Sequence, residues 1–190
     1  FMNMLKSNKK VCHHMHIPLQ SGSDKILKLM NRKYNKKEFL TKIKEIRECI
    51  ADINITTDVI TGFPGETEED FQECLDFVKE VGFTKVHTFP YSERTGTLAS
   101  KMANQVPVNI RKERAKRLIL LSDTLEANYN KEQVGKTFPV LIEEINDYGA
   151  VGHTSTYLKV NVKNKLERNQ FYNILITESY KDYVVGVVKE

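Results

Sequence analysis

Ile53-Asn54-Ile55-Thr56-Thr57-Asp58-Val59-Ile60-Thr61-Gly62-Phe63-Pro64-Gly65-Glu66-Thr67-Glu68-Glu69-Asp70 reads as a strand, a tight turn and the start of a helix. Ile53 to Thr61 is dense in Ile, Thr and Val, whose β-branched side chains fit a pleated, buried surface. Gly62-Phe63-Pro64-Gly65 breaks the strand. Thr67 and Asp70 have the spacing of a capping box, with Asp in the place more often held by Glu. Phe71, Leu75 and Val78 then recur at helical spacing, and Gly82 suits the residue that closes a helix.

The same alternation extends both ways. Upstream, His13 to Leu19 is a predicted strand ending in Gln20-Ser21-Gly22-Ser23. Ser23 is a candidate N-cap for a helix carrying Ile26, Leu27 and Met30, and Asn35 for a second helix with Phe39, Ile43, Ile46 and Ile50 on one face. Downstream, Phe83 to Tyr91 is a third strand interrupted late by Pro90. A polar loop runs from Ser92 to about Val108, and a long basic helix from Asn109 to Gln133 carries Leu118, Leu121, Leu125 and Tyr129 as its apolar stripe. Strands interleaved with helices predict a parallel sheet buried on both faces. Three strands are few for a finished α/β domain. A bare sheet edge is therefore expected, with self-association through it, and so are earlier strands ahead of an abrupt start at Phe1.

After Gly135 the apolar period changes to two. Phe138 to Ile145, Ala150 to His153, Tyr157 to Val162, Phe171 to Thr177 and Tyr183 to Val188 are strand candidates, closely enough spaced to predict a small five-stranded antiparallel β-barrel. Residues 1–133 and 134–190 are thus expected to be two domains.

The chain is 40% hydrophobic and 28% charged, the balance of a soluble globular protein. No apolar run approaches the roughly 18 residues of a bilayer span, and Phe1 to Lys10 has no signal-peptide core, so a cytoplasmic setting without membrane contact is expected. Net charge is +4, and all of the excess lies before Lys136. Two basic stretches, Lys25 to Lys44 and Arg111 to Arg117, are either solvated helix faces or surfaces for a polyanion. Cys12, Cys49 and Cys74 are odd in number and far apart, which argues against a disulfide framework and against a zinc or iron–sulfur motif. Cys12-His13-His14-Met15-His16 has ligand types but strand alternation, which turns His13 away from Cys12, His14 and His16, so no metal site is expected.

In a parallel sheet the ligand sits beyond the carboxyl ends of the strands. All three predicted strand ends are rich in polar residues and glycine: Gln20-Ser21-Gly22-Ser23; Asp58 with Gly62-Phe63-Pro64-Gly65; and Phe89-Pro90-Tyr91-Ser92 followed by Arg94. Together they offer hydroxyls, exposed backbone, a carboxylate and a guanidinium, a set that suits a zwitterionic nucleoside.

His16-Ile17-Pro18-Leu19-Gln20-Ser21-Gly22-Ser23, Leu27-Lys28-Leu29-Met30-Asn31-Arg32-Lys33-Tyr34, Thr57 to Thr67, and Phe89-Pro90-Tyr91-Ser92-Glu93-Arg94-Thr95-Gly96-Thr97-Leu98-Ala99 resemble, in order and spacing, the radical-SAM methylthiotransferase family. The resemblance implies a partial (β/α) barrel of radical-SAM type, truncated here, followed by an RNA-binding TRAM barrel of OB-like form. It implies S-adenosylmethionine as cofactor and two 4Fe–4S clusters in the full-length protein. One cluster, on a Cys-x-x-x-Cys-x-x-Cys loop, cleaves S-adenosylmethionine to a 5′-deoxyadenosyl radical; the other supports sulfur insertion. Neither cysteine set occurs in this chain, so catalysis by the chain alone is not expected. His16, Gln20, Ser21, Ser23, Asp58, Ile60, Gly62, Phe89, Tyr91 and Arg94 are the residues that would surround S-adenosylmethionine. The family's wider Gly-x-Ile-x-Gly-x-x-Glu pattern is met only in part, with Asp58 in place of the first glycine and Glu66 one position late.

Three substrate classes occur in the family: N6-threonylcarbamoyladenosine in tRNA, N6-isopentenyladenosine in tRNA, and an aspartate of a ribosomal protein. His87-Thr88-Phe89-Pro90-Tyr91-Ser92 and Gly152-His153-Thr154-Ser155-Thr156-Tyr157-Leu158 resemble the threonylcarbamoyladenosine branch, which acts next to the anticodon. Gln20-Ser21 departs from the Gln-His of the ribosomal-protein enzymes. In the barrel, alternation puts Leu158, Val160 and Val162 inside and Tyr157, Lys159 and Asn161 outside. With Lys163, the outer residues form an expected RNA-binding face of an aromatic, cations and an amide. A reading from another class is a non-catalytic RNA-binding protein that cradles RNA on the barrel and the basic helices.

Overall fold

The computed structural model describes residues 4, 7, 8, 10–147 and 149–189. In chain order the elements are β1 (His14–His16), α1 (Asp24–Leu29), α2 (Lys36–Cys49), β2 (Asn54–Thr61), α3 (Glu68–Val81), β3 (Lys85–Pro90) and α4 (Val108–Glu132). Then come β4 (Thr137–Asn146), β5 (Gly149–Thr154), β6 (Lys159–Val162), β7 (Phe171–Ser179) and β8 (Val184–Val188). They form two compact units: His16–Glu48 with Ile55–Ser122, and Phe1–Met15 with Cys49–Asn54 and Asp123–Glu190.

The first unit is built on a sheet of order β1-β2-β3, in which β2 and β3 run parallel with Asp58 opposite His87 and Ile60 opposite Phe89. Its two faces differ. Ile55, Thr57, Val59 and Thr61 are buried to 1% exposure or less, in a core shared with Ile26, Leu27, Ile43, Phe71, Val78 and Leu118 from the helices. The alternate positions Asp58 and Ile60 are half-buried, and His87 and Phe89 are exposed. The second face, expected to be buried like the first, is open only toward the carboxyl ends of the strands, since Asn54 and Thr56 on that same face are buried at 5% and 8% exposure. β1 and β3 are its edges, and on β3 the Val86 N–H is satisfied by the Ser122 hydroxyl (2.9 Å).

Local caps follow the sequence at two helices and depart from it at a third. Thr67 and Asp70 form the capping box of α3, and Gly82 closes that helix. Asn35 and Glu38 exchange side-chain-to-backbone bonds of 2.9 and 3.1 Å ahead of α2. Ser23 has N-cap backbone geometry, but its hydroxyl donates to Asp70 (3.2 Å) and does not cap α1.

In the second unit the order β4-β5-β6-β8-β7 closes into a barrel. Its core is Val140, Ile142, Ala150, Leu158, Val160, Val162, Ile174, Ile176 and Val184. The barrel is not wholly antiparallel. β6 pairs with β8 in parallel, because β7 intervenes in sequence and hairpins onto β8 before the barrel closes. Tyr157 lies outside the strand to which its period assigns it. It stands at φ 63° in a turn closed by its N–H to the Thr154 carbonyl (3.0 Å).

Candidate functional site

Beyond the carboxyl end of the three-stranded sheet lies a cavity of about 470 Å³. Gln20, Asp58, Ile60, Phe89, Tyr91 and Arg94, drawn from all three strand ends, line it together. Phe63, Pro90, Ser92, Thr97 and Ala99 complete the wall. Among these, Phe63 has no role predicted from the sequence. It reads as part of a turn, yet it is buried with its ring edge-on to Tyr91 at 5.4 Å.

Backbone geometry places the polar groups. Gln20 takes the left-handed conformation, φ 69°, and bridges to β2: its N–H donates to the Asp58 carbonyl (2.8 Å) and its carbonyl accepts from Ile60 (2.9 Å). Its side-chain oxygen accepts from Arg32 (3.0 Å). The Tyr91 hydroxyl is buried and has no hydrogen-bond partner among the described residues. Behind Tyr91, Arg111 donates to the Tyr91 carbonyl (3.1 Å) and the Val106 carbonyl (2.6 Å), with its guanidinium 5.0 Å from the Tyr91 ring centre. Its stem passes so close to Gly62 that a Cβ there would fall 2.4 Å from it, and Gly62 stands at φ 73°. Only glycine meets both conditions.

The remaining expected residues lie apart from this wall. His16 sits beside it on the open sheet face, with Nε2 3.2 Å from the Asp58 carboxylate, Nδ1 3.0 Å from the Thr56 hydroxyl and its ring 5.5 Å from that of His87. Ser21 and Ser23 are buried at 1% and 0% exposure, so they offer no hydroxyl to the cavity. The reason is packing: the Gly22 N–H meets Cys74 Sγ (3.1 Å), and that bond draws Ser21 to Ser23 against α3. Gly62 donates its N–H to the Glu66 carboxylate (2.7 Å), which also holds Arg114 (2.8 Å). Burial pushes the Glu66 carboxyl up, and the Gly62 N–H and the Arg114 guanidinium pull it back. Glu66 thus serves the turn and not the cavity.

The basic stretch on α4 is mostly consumed inside the fold. Arg111 and Arg114 are buried, and Arg117 pairs with Glu68 and Glu113, so only Lys112 and Lys116 are exposed. In the first stretch Lys25 pairs with Asp70 and Lys36 with Glu73.

On the barrel, Lys159 and Lys163 are exposed and Asn161 is half-buried. Tyr157 is 61% exposed and stacks on two imidazoles, His14 at 5.1 Å and His153 at 4.7 Å. His153 in turn pairs with Glu143.

Residues 2–78 match the model of the Radical SAM superfamily, and residues 131–189 match that of the TRAM domain. The fold is a partial radical-SAM barrel followed by a TRAM-type β-barrel. Coproporphyrinogen III oxidase of Escherichia coli, a radical-SAM enzyme, is similar in fold over 75% of this chain and 39% of its own, at a TM-score of 0.51 and 16% identity. Among curated proteins, the chain is 42% identical over 187 residues to tRNA-2-methylthio-N(6)-dimethylallyladenosine synthase of Caldicellulosiruptor saccharolyticus, covering 97% of this chain and 40% of that protein. It is 41% identical over 167 residues to threonylcarbamoyladenosine tRNA methylthiotransferase MtaB of Bacillus subtilis, covering 85% of this chain and 37% of that protein. The chain therefore spans about two-fifths of the length of these relatives.

Among the described residues no group of three or more His, Cys, Asp or Glu could hold a metal ion, and no helix is long and apolar enough to cross a membrane.

Proposed function

We propose that this chain is part of a tRNA methylthiotransferase. Residues 1–133 would hold S-adenosylmethionine and residues 134–190 tRNA near the anticodon, in the cytoplasm. The observation that carries the reading is the cavity at the strand ends, where Gln20, Asp58, Ile60, Phe89, Tyr91 and Arg94 meet. Its donor set fits the cofactor. A half-buried carboxylate and an exposed guanidinium match an amino-acid zwitterion, Ile60, Phe63 and Phe89 offer apolar walls to an adenine, and the buried Tyr91 hydroxyl awaits a partner. S-adenosylmethionine, when bound, supplies the methyl group and the radical chemistry. The protein's own part is to orient it: Asp58 is held toward His16, and Arg111 fixes the Tyr91 wall from behind.

The iron–sulfur clusters are a different case. Cys12 is exposed, Cys49 half-buried at the end of α2, and Cys74 fully buried with its sulfur engaged by Gly22. They do not make a cluster ligand set, and no step through a cluster is assigned to these residues.

The modified adenosine we assign is N6-threonylcarbamoyladenosine, because His87, Phe89, Pro90, Tyr91 and Ser92 form the string that resembles that branch, and Phe89 to Ser92 line the cavity. A second reading, N6-dimethylallyladenosine, has the names of several relatives in its favour. Mass spectrometry of tRNA nucleosides from cells without the gene separates them. The first reading expects loss of the methylthio form of threonylcarbamoyladenosine alone. Loss of the methylthio dimethylallyl form instead establishes the second, and loss of neither sinks both.

A further inference from the structure

A separate cavity of about 370 Å³ opens on the outside of the barrel. Val151, Asn161 and Val185 stand directly opposite one another across β5, β6 and β8 and form its floor. Asn161 is thus flanked by two valines, and its Oδ1 is buried with no hydrogen-bond partner among the described residues. Turning the amide over would bury its nitrogen in the same position. A polar atom so placed is costly unless a partner arrives from outside.

The wall of this cavity is aromatic. Tyr180 and Tyr183 stack with ring centres 4.7 Å apart and planes 12° apart. The turn that carries them is braced twice: the Tyr180 N–H donates to the Tyr183 carbonyl (2.9 Å), and Asn130 donates to the carbonyls of Tyr180 (3.1 Å) and Lys181 (3.0 Å). At the rim Gly149 stands at φ 137°, where a Cβ would fall 2.1 Å from the Val162 carbonyl oxygen, so position 149 cannot carry a side chain. Lys163 is the one charged residue among the described lining residues, and none of them is acidic.

We propose that this cavity takes a single unstacked nucleobase of tRNA, and that it prefers adenine. The braced tyrosine pair offers a π-surface for the base, as single-stranded RNA readers do. The buried Asn161 oxygen requires a donor, which the exocyclic amino group of adenine supplies, while the amide nitrogen can donate to an adenine ring nitrogen. That two-point match is the preferred asparagine–base pairing. Lys163 at the rim meets the adjoining phosphate. The proposal rests on the reading that the chain binds tRNA.

The test compares the 190-residue chain with its Asn161→Leu and Tyr180→Ala variants. Fluorescein-labelled pentaadenylate, pentauridylate and an anticodon stem-loop are the probes, read by anisotropy. The parent is expected to bind pentaadenylate about tenfold more tightly than pentauridylate. Asn161→Leu should erase that preference, and Tyr180→Ala should weaken both pentamers about tenfold. Neither should change the salt dependence, since the cations that meet phosphate are untouched, and Asn161→Leu should not lower the melting temperature, since Leu relieves the buried amide. If the parent binds the stem-loop and both variants match it in affinity and base preference, the pocket is refuted and the tRNA reading stands. If free adenosine monophosphate binds as tightly as pentaadenylate, the pocket is a nucleotide site and the RNA assignment falls. If the parent binds no RNA, both fall.

Discussion

His16 Nε2 lies 3.2 Å from the carboxylate of Asp58, across neighbouring strands on the open face of the sheet. The pairing fixes an acid at the mouth of a cavity whose other walls are largely apolar, so the carboxylate is aimed by the fold and not left to solvent. Asp58→Asn keeps the shape and removes the charge. If the cavity holds S-adenosylmethionine as proposed, its binding should weaken by about tenfold or more, the scale of one charge-assisted hydrogen bond, with little change in melting temperature. Isothermal titration of the two proteins decides; equal affinity would remove Asp58 from the proposed cofactor site.

Arg111 carries the second prediction. Its fork reaches the Val106 and Tyr91 carbonyls and the Gln105 side chain at once, while its guanidinium covers the Tyr91 ring. Lysine has the charge but not the planar fork, so Arg111→Lys should leave buried carbonyls unpaired. A loss of about 1–3 kcal/mol in urea unfolding is expected. Unchanged stability would mean that the Tyr91 wall stands without it.

Asp70 gives a pH dependence. Burial pushes its carboxyl up, but the Lys25 ammonium at 2.6 Å, the Thr67 N–H and the Thr67 hydroxyl outweigh that and hold it below the usual carboxylate range. A carboxyl depressed in the folded state stabilises fully above its unfolded value, about pH 4, and the contribution is lost as pH falls through the folded value. The unfolding free energy of the parent should therefore exceed that of Asp70→Asn most above about pH 5, and the gap should close in acid. A gap that stays constant down to about pH 2 would show that the aspartate acts by packing alone.

How far these interactions are legible in the sequence depends on their range. The Thr67–Asp70 box is local, and it stands as its spacing predicts. Leu158, Val160 and Val162 are in the barrel core because alternation along a strand is a local property too. Convergence of the strand ends follows from parallel topology, which is why Gln20, Asp58 and Arg94, grouped from the sequence alone, line one cavity. The basic run Arg111 to Arg117 misleads because Arg114 and Arg117 reach Glu66 and Glu68, more than forty positions away, and Arg111 spends its fork on backbone and amide oxygens, which no charge pattern reveals. Ser21 and Ser23 mislead for a similar reason: Cys74 and Asp70 on α3 claim that segment. The Tyr180–Tyr183 pair leaves no mark in the sequence because two tyrosines around a turn are common, and only the β6–β8 closure brings Asn161 beside them.

Cysteine chemistry offers a fourth check. Cys74 is fully buried, and burial pushes its thiol up to about 12, against the pull of the Gly22 N–H. A thiol so protonated is a poor nucleophile. Iodoacetamide at about pH 8, near the ordinary thiol range, should label exposed Cys12 first and leave Cys74 unmodified until denaturant is added. Peptide mass spectrometry reads the order, and early labelling of Cys74 would mean that α3 opens readily from the Gly22 segment.

The final prediction concerns the outer face of β6. Lys159 and Lys163 are exposed, on either side of half-buried Asn161, and Lys159 stands opposite His153, whose ring stacks on Tyr157. Cations interleaved with aromatic rings suit a phosphate backbone with unstacked bases. If tRNA lies along this face, Lys159→Ala and Lys163→Ala should each weaken binding of an anticodon stem-loop. Each should also reduce the slope of log affinity against log salt by roughly one for every phosphate that the lysine had neutralised. Neither side chain is buried, so the melting temperature should hold. The double variant is the decisive one. An unchanged affinity and an unchanged salt slope would take this face out of the RNA-binding surface and leave the other exposed cations, among them Lys112 and Lys116 on α4, as the groups to test next. A reduced slope with intact base preference would instead assign the lysines to the backbone and the Asn161 cavity to the base, two contributions that salt and sequence separate cleanly.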